Sequence, residues 1–192
     1  MNDKTLLAIL GSPHHDGPTA AMLNCAVNAA LQDGWQVTTV NLYEKKLAFC
    51  IGCGRCSAAG ECMLQDDAAQ IAALLKKADR VVLAAPTYWA NIPAVVKNLF
   101  DRLTGTVMEQ TGGFPRPRLS PRQKYLLLTT CATPFPFSLL AGQSVGSLRA
   151  MKEFFKYSGM KRLGCVAFAG TKSLPALPQH IQRKIERHWA HG

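Results

Sequence analysis

Apolar runs alternate with helix-periodic stretches along the whole chain. Leu6 to Leu10 is a continuous apolar run ended by Gly11, the pattern of a strand buried on both faces. From Thr19 to Leu31, Ala, Met, Leu, Cys and Val recur at helical spacing until Asp33-Gly34 stops them. Gln36 to Leu42 alternates with β-branched residues and reads as a second strand. After a cysteine-rich stretch, Asp66 or Asp67 opens a helix to Lys77, with its acids in the first turn where the positive helix end favours them. Arg80 to Ala85 is a third buried strand, ending before Pro86, and Pro93 suits the first turn of a helix running to about Arg102. Residues 103 to 122 contain Gly112-Gly113-Phe114-Pro115-Arg116-Pro117 and are expected to be loop. A strand at Tyr125–Thr130, a helix at Ser144–Tyr157, a strand at Leu163–Ala169 and a helix at Pro178–Trp189 complete the reading.

Five strands separated by helices specify an α/β chain with a parallel sheet covered on both faces. Such sheets take ligands beyond the carboxyl ends of their strands, where the strand order reverses. The loops after Leu10, Ala85, Thr130 and Ala169 are therefore the ones to inspect. A length of 192 residues suits one domain, 1–192, with the cysteines at 50–62 as an insertion. With 48% hydrophobic and 18% charged residues, the chain can bury a sizeable core. Residues 125–148 carry no formal charge, yet they hold Pro134, Pro136, Gly142, Gly146 and seven Ser, Thr or Gln residues, so no membrane span is expected. At the N-terminus (Met1, Asn2, Asp3, Lys4) the apolar run Thr5–Leu10 is too short for a secretory signal. The expected address is the reducing cytoplasm, where seven cysteines serve as ligands, redox groups or core residues rather than as a disulfide framework.

The net charge of +10 is uneven. Residues 1–115 balance at −1, with nine Lys or Arg against ten Asp or Glu, whereas 116–192 carry thirteen against two, or +11. A basic half suits an acidic partner or a phosphate, or simply keeps helix faces solvated. It lacks the interleaved Arg and aromatic residues of a nucleic-acid stacking platform, so no nucleic-acid partner is expected.

After the first strand, Gly11-Ser12-Pro13-His14-His15-Asp16-Gly17-Pro18-Thr19 leads straight into a helix, a natural phosphate site built from backbone amides and the helix end. Ser12 and Thr19 add hydroxyl donors, although Thr19 also suits a plain helix cap. No Lys-Ser or Lys-Thr closes the loop and no G-x-G-x-x-G is present, so the loop suggests a mononucleotide cofactor rather than a triphosphate or dinucleotide. After the third strand, Pro86-Thr87-Tyr88-Trp89-Ala90-Asn91 offers two adjacent aromatics that either stack on a planar ring or cap the core.

Cys50-x2-Cys53-x2-Cys56-x5-Cys62 places four thiols within thirteen residues, with Gly52, Gly54 and Gly60 between them. Zinc sites usually draw on two separated pairs, whereas three cysteines at two-residue gaps resemble the run that wraps an iron–sulfur cubane. Zinc, a Cys50–Cys53 redox dithiol, or no metal at all remain open on spacing alone. Cys25 and Cys165 lie on core patterns, and His180, His188 and His191 lie on a basic tail where the last two are expected to be solvated. Lys97 and Asp101 suit an i, i+4 pair of the weaker orientation.

Gly-Ser-Pro-x-x-x-Gly-x-Thr, the Cys-Ile-Gly-Cys-Gly-x-Cys run, Asp66-Asp67, Pro86-Thr87-Tyr88 and Lys97 to Arg102 occur here in one order. Together they resemble the NADPH-dependent FMN reductase-like, flavodoxin-fold proteins, and in particular their iron–sulfur flavoprotein branch. The resemblance is close over residues 5–102 and rests on element order beyond. It implies a three-layer fold with strand order 2-1-3-4-5, and FMN held through its phosphate by Ser12, His14, Gly17, Pro18 and Thr19. The ring would lie against Pro86, Thr87, Tyr88, Trp89 and Asn91, with a third contact near Cys131. It also implies a 4Fe–4S cluster on Cys50, Cys53, Cys56 and Cys62, and electron transfer between cluster and FMN. His14 and Pro18 depart from the usual Arg and Asn, so the phosphate meets less charge and one amide fewer. Two rival activities are an NAD(P)H-dependent FMN or quinone reductase without a cluster and a flavodoxin-type electron carrier, against which the basic charge counts. The expected partners are a small-molecule or protein electron donor or acceptor such as a ferredoxin, and the expected assembly is a homodimer or homotetramer.

Overall fold

The computed structural model describes residues 4–173 and 176–190. In chain order the first elements are β1 (Thr5–Leu10), α1 (Pro18–Gln32), β2 (Gln36–Asn41), α2 (Arg55–Ala59), α3 (Asp67–Lys77) and β3 (Arg80–Pro86). There follow α4 (Ala94–Arg102), α5 (Thr104–Val107), β4 (Met108–Glu109), β5 (Arg116–Pro117) and β6 (Lys124–Cys131). α6 (Phe137–Leu140), α7 (Gln143–Ser158), β7 (Lys161–Ala169) and α8 (Gln179–Ala190) end the series. The five long strands form one parallel sheet in the order β2-β1-β3-β6-β7, the expected 2-1-3-4-5 once the small β4–β5 ribbon is set aside.

Strand alternation divides the core in two. Leu7 and Ile9 of β1 and Leu83 of β3 face α3, α4 and α7 through Ile71, Leu99 and Phe155. Leu6, Ala8 and Leu10 face the opposite way, against α1 and α8 through Met22, Leu23, Ile185 and Trp189. Each fully buried leucine contributes about 1.5–3 kcal/mol, so the continuous apolar runs stabilise both layers at once. Arg80 clamps α8 to the sheet: its guanidinium lies 4.5 Å from the Trp35 ring and 4.4 Å from the Trp189 ring, and it donates to the Trp189 carbonyl at 2.9 Å. Trp189 Nε1 donates in turn to Asp33 at 2.7 Å.

The segment 103–122 differs from the expected loop. It holds α5 and the two-residue antiparallel ribbon β4–β5, because Leu103 and Val107 are buried in the α3/α4/α7 core and pin a helical turn there. Elements this short carry no detectable period. The uncharged stretch 125–148 forms β6, α6 and the start of α7, and among the described residues no helix is long and apolar enough to cross a membrane.

His188 is a correction to the solvated tail: it is partly buried, its ring lying where Gly164 has no β-carbon to exclude it. His191 and Met1–Asp3 lie outside the described residues. Burial, helped by the cations of Lys184, Arg187 and Arg162, pushes the His188 pKa below its usual value. A lowered folded-state pKa means that the unfolded chain binds the proton more readily, so stability is full above the ordinary histidine value and falls as pH drops below it. The urea midpoint of the protein is expected to fall between pH 7 and 5 by more than that of His188→Gln; parallel pH profiles would refute this assignment.

Candidate functional site

The parallel sheet brings three loops to one edge, at the carboxyl ends of β1, β3 and β6. The first begins at Gly11, whose amide still bonds to the Ala84 carbonyl of β3 at 2.8 Å. It ends at Gly17, the N-cap of α1, with Pro18 at N1 and no side-chain cap or first-turn acid. Proline spends the amide least needed at a helix start, leaving those of Thr19 and Ala20 aimed out of the positive helix end. The Ser12 side chain is buried and its Oγ accepts from the His14 amide at 3.2 Å, while His14 itself is exposed. Thr19 is also buried, with Oγ1 2.7 Å from Thr130 Oγ1. When Thr130 is the donor of that pair, the Thr19 proton is free for an anion at the loop.

Thr87 is committed inward. Its amide donates to the Thr130 carbonyl at 2.7 Å. Thr129 spends its own proton on the Ala85 carbonyl at 2.9 Å, so across the 3.1 Å contact between the two hydroxyls Thr87 is the donor. Beyond it, Tyr88 and Asn91 exchange backbone bonds of 2.8 and 2.9 Å and close a two-residue turn. Its central residues Trp89 and Ala90 have φ of 52° and 57°, the left-handed pair of a type I′ turn that usually takes Asn-Gly. A tryptophan held there costs about 1–3 kcal/mol and persists only where neighbours impose it. Those neighbours are on α7. Ser147 Oγ donates to the Asn91 carbonyl at 2.8 Å, and a β-carbon on Gly146 would overlap the Ala90 carbonyl oxygen. The Trp89 ring is fully exposed and Tyr88 nearly half exposed, so neither caps the core. Asn91 Oδ1 is taken by the Ile92 amide at 2.8 Å. Among the described residues the Trp89 and Ala90 amides carry no partner, so they are the donors this loop offers.

Cys131 ends β6 in a buried position with its thiol 3.2 Å from Gln143 Oε1, at the base of a loop that exposes Phe135, Phe137 and Leu140. Cys25 and Cys165 are half-buried, and burial pushes the Cys25 thiol up to about 11 and Cys165 in the same direction, as for unreactive packing groups.

The cysteine loop leaves the sheet beside α4. Arg102, fully buried, spreads its guanidinium over both stems of that loop: Nη1 donates to the Ala48 carbonyl at 2.7 Å and Nη2 to the Leu64 carbonyl at 3.1 Å. The same two nitrogens bond Asp66 Oδ2 and Oδ1 at 2.6 and 2.8 Å. Burial pushes the Asp66 carboxyl up, but the bonds from Arg102 and from the Ala48 and Ala68 amides outweigh it and hold its pKa below the usual carboxylate value. Asn98 adds bonds to the Leu47 and Ala48 carbonyls, and Arg118 ties the Ser57 carbonyl to that of Gly105. Lys97 and Asp101 form the expected pair at 2.7 Å.

The donor set in that loop suits a soft metal centre: four free thiols on one segment, with Gly52, Gly54 and Gly60 at φ of 65°, 70° and 76° to let the backbone wrap. The sulfurs are not drawn together as the chain stands. Cys50 and Cys56 line one cavity of about 380 Å3, Cys53 leans on Met63 Sδ at 3.6 Å, and Cys62 faces Arg102. Among the described residues no three Cys, His, Asp or Glu side chains form a metal-holding group. A second cavity of about 580 Å3 lies between α4 and α7, is lined at one end by Asn91, and shares the lining residues Asp101 and Thr104 with the first.

Gly146, Ser147, Gly105 and Arg118 escape the sequence reading. A glycine inside the helix pattern of α7 is the one signal that could have flagged a close backbone approach.

An iron-sulfur flavoprotein of Archaeoglobus fulgidus is 38% identical over 97 residues, covering 50% of this chain and 44% of the relative. Another, of Methanocaldococcus jannaschii, is 35% identical over 97 residues, 50% of each chain. The chain thus spans about half the length of the curated relatives it matches. Among solved structures, an FMN-dependent NADH-azoreductase from Bacillus anthracis in complex with FMN superposes with a TM-score of 0.73 at 15% identity, covering 98% of both chains. An NAD(P)H:quinone oxidoreductase from Methanothermobacter marburgensis does so with a TM-score of 0.74 at 14% identity, covering 98% of this chain and 96% of the other. These two likenesses speak to fold, and a family described by its flavodoxin-like fold matches residues 4–191. With that match and the 2-1-3-4-5 sheet, the chain belongs to the flavodoxin-like fold family.

Proposed function

We propose that this chain is an FMN-dependent oxidoreductase whose Cys50, Cys53, Cys56 and Cys62 hold a 4Fe–4S cluster, and that it transfers electrons between the two. The observation that carries the flavin half is the pairing, on one sheet edge, of an uncapped helix start with a strained turn. Thr19 and Ala20 present amides from the one, and Trp89 and Ala90 from the other. In this reading Ser12, His14, Gly17 and Thr19 surround the phosphate, as the helix end favours an anion. Pro86, Tyr88, Trp89 and Asn91 frame the ring, with Thr87 behind them bonded to Thr129 and Thr130 and Cys131 beneath the third loop. Bound FMN supplies one- and two-electron chemistry, while the chain orients the ring and shields it from water. The iron–sulfur half rests on the four free thiols and on relatives named iron-sulfur flavoproteins.

The spread of the thiols favours a second reading, an NAD(P)H-dependent FMN or quinone reductase whose cysteines bind nothing. Under either reading the basic half attracts an acidic electron donor such as a ferredoxin, or the phosphates of NADPH. The exposed Trp89, Phe135, Phe137 and Leu140 suit burial in a homodimer or homotetramer, and free thiols suit the cytoplasm.

Titration of flavin-free protein with FMN, followed by quenching of flavin fluorescence, tests the flavin half and is expected to saturate at one FMN per chain. Trp89→Gly relieves the left-handed strain and is expected to raise the thermal midpoint by about 2–4 °C, the equivalent of ~1 kcal/mol. The same change removes a stacking surface and weakens FMN binding about two- to tenfold. A variant more stable and equally tight would separate Trp89 from the flavin; no saturation by the parent protein would remove the flavin itself.

A further inference from the structure

We propose that Arg102 is a positioning residue that clasps the cysteine loop and, through Nε, aims a hydrogen bond at the Cys62 sulfur to stabilise the reduced cluster; this rests on the iron–sulfur reading above. Its five N–H groups meet five acceptors: the Ala48 and Leu64 carbonyls, both Asp66 oxygens, and Cys62 Sγ at 3.2 Å. Ala48 and Leu64 bracket the four cysteines, so one rigid fork fixes the span of the loop. Cys62 is the single cysteine of the four that it touches, and the contact is made by a side chain with no exposure to solvent.

The electrostatic consequence has a sign. Taking up one electron adds one negative charge to a cluster and its thiolates, with no bond made or broken. An N–H donor on a ligand sulfur stabilises that added charge and raises the reduction potential. Asp66 works against it, since its carboxylate offsets the guanidinium charge from the far side of the fork.

Two substitutions separate these effects. Arg102→Lys keeps one positive charge, but a single ammonium cannot serve four groups in three directions. Asp66→Asn keeps an acceptor for the α3 start, which the Asp66 side chain caps through the Ala68 amide at 3.0 Å, and removes the opposing charge. The parent protein and both variants are treated anaerobically with ferrous iron and sulfide. Iron, sulfide and FMN per chain are measured, and the cluster is titrated potentiometrically by electron paramagnetic resonance.

The expected result is a potential shifted to more negative values in Arg102→Lys and to more positive values in Asp66→Asn, with FMN content unchanged. Arg102→Lys should also lose iron to a chelator at least tenfold faster. Equal potentials, or shifts of the same sign, would overturn the proposal, because mere loosening of the loop has no reason to move the two variants in opposite directions. If Arg102→Lys loses its FMN and with it the fold, Asp66→Asn decides alone: a positive shift supports the tuning and no shift ends it. If the parent protein takes up FMN but no iron, the iron–sulfur reading fails, and the tuning role falls with it on the parent data alone.

Discussion

Gly146→Ala is expected to weaken FMN binding by tenfold or more, although a glycine-to-alanine change inside a helix ordinarily stabilises it by roughly 0.5–1 kcal/mol. The added methyl has no free space to enter, because its position overlaps the Ala90 carbonyl oxygen. Backbone must yield, and the backbone that yields is the turn 88–91, already held at positive φ through Trp89 and Ala90. Pushing it away from α7 also strains the 2.8 Å bond from Ser147 to the Asn91 carbonyl. The Trp89 and Ala90 amides and both aromatic rings then leave the positions that would meet the ring. A tenfold loss corresponds to about 1.4 kcal/mol, within the range of ~1–3 kcal/mol for overpacking a close contact. Fluorescence titration of Gly146→Ala beside Ser147→Ala, which removes the bond without adding bulk, measures it. Unchanged affinity in Gly146→Ala would show that the turn takes no part in flavin binding.

Gly105→Ala is expected to unseat the cysteine loop. A β-carbon there would overlap the Cys56 carbonyl oxygen and lie 2.6 Å from its carbonyl carbon and 2.7 Å from its Cβ. The five-residue α2 has no buried residue of its own and depends on this seat and on Arg118, which bonds the Ser57 carbonyl at 2.7 Å. The loss should be about 1–3 kcal/mol and local, because the sheet and its two core layers do not include α2. Limited trypsin digestion reads it as cleavage at Arg55 at least tenfold faster than in the parent protein. FMN binding should survive, since the phosphate loop and the turn 88–91 belong to other elements. Equal cleavage rates would mean that the loop is held elsewhere.

What the sequence makes legible follows from the range of the forces involved. Strands buried on both faces have to be apolar throughout, so Leu6–Leu10 and Val81–Ala85 announce themselves, and Asp66, which caps α3, and Pro93, which precedes α4, mark their helix starts locally. The position of the candidate site is equally legible, because a parallel sheet turns strand ends into a common edge. Its internal bonding is not. Thr19 meets Thr130 across 111 positions and Thr87 meets Thr129 across 42, so nothing in the local pattern could show that Thr87 is spent inward. The same holds for Arg102, which reaches residues 36 to 54 positions away. His188 reads as a solvated tail residue because the space that receives it is made by a missing side chain, Gly164, on another element. Four cysteines on one loop are visible in the sequence, whereas the contacts of Cys53 with Met63 and of Cys62 with Arg102 are not.

The visible spectrum of protein purified without oxygen, with flavin, iron and sulfide assayed on the same sample, shows whether the chain carries both groups. Flavin bands at one FMN per chain over a broad iron–sulfur absorbance are expected, with about four irons and four sulfides. Flavin without iron, even after anaerobic reconstitution, would contradict the iron–sulfur half and leave the simple reductase. Neither chromophore, and no uptake of FMN, would mean that the chain is not a flavoprotein.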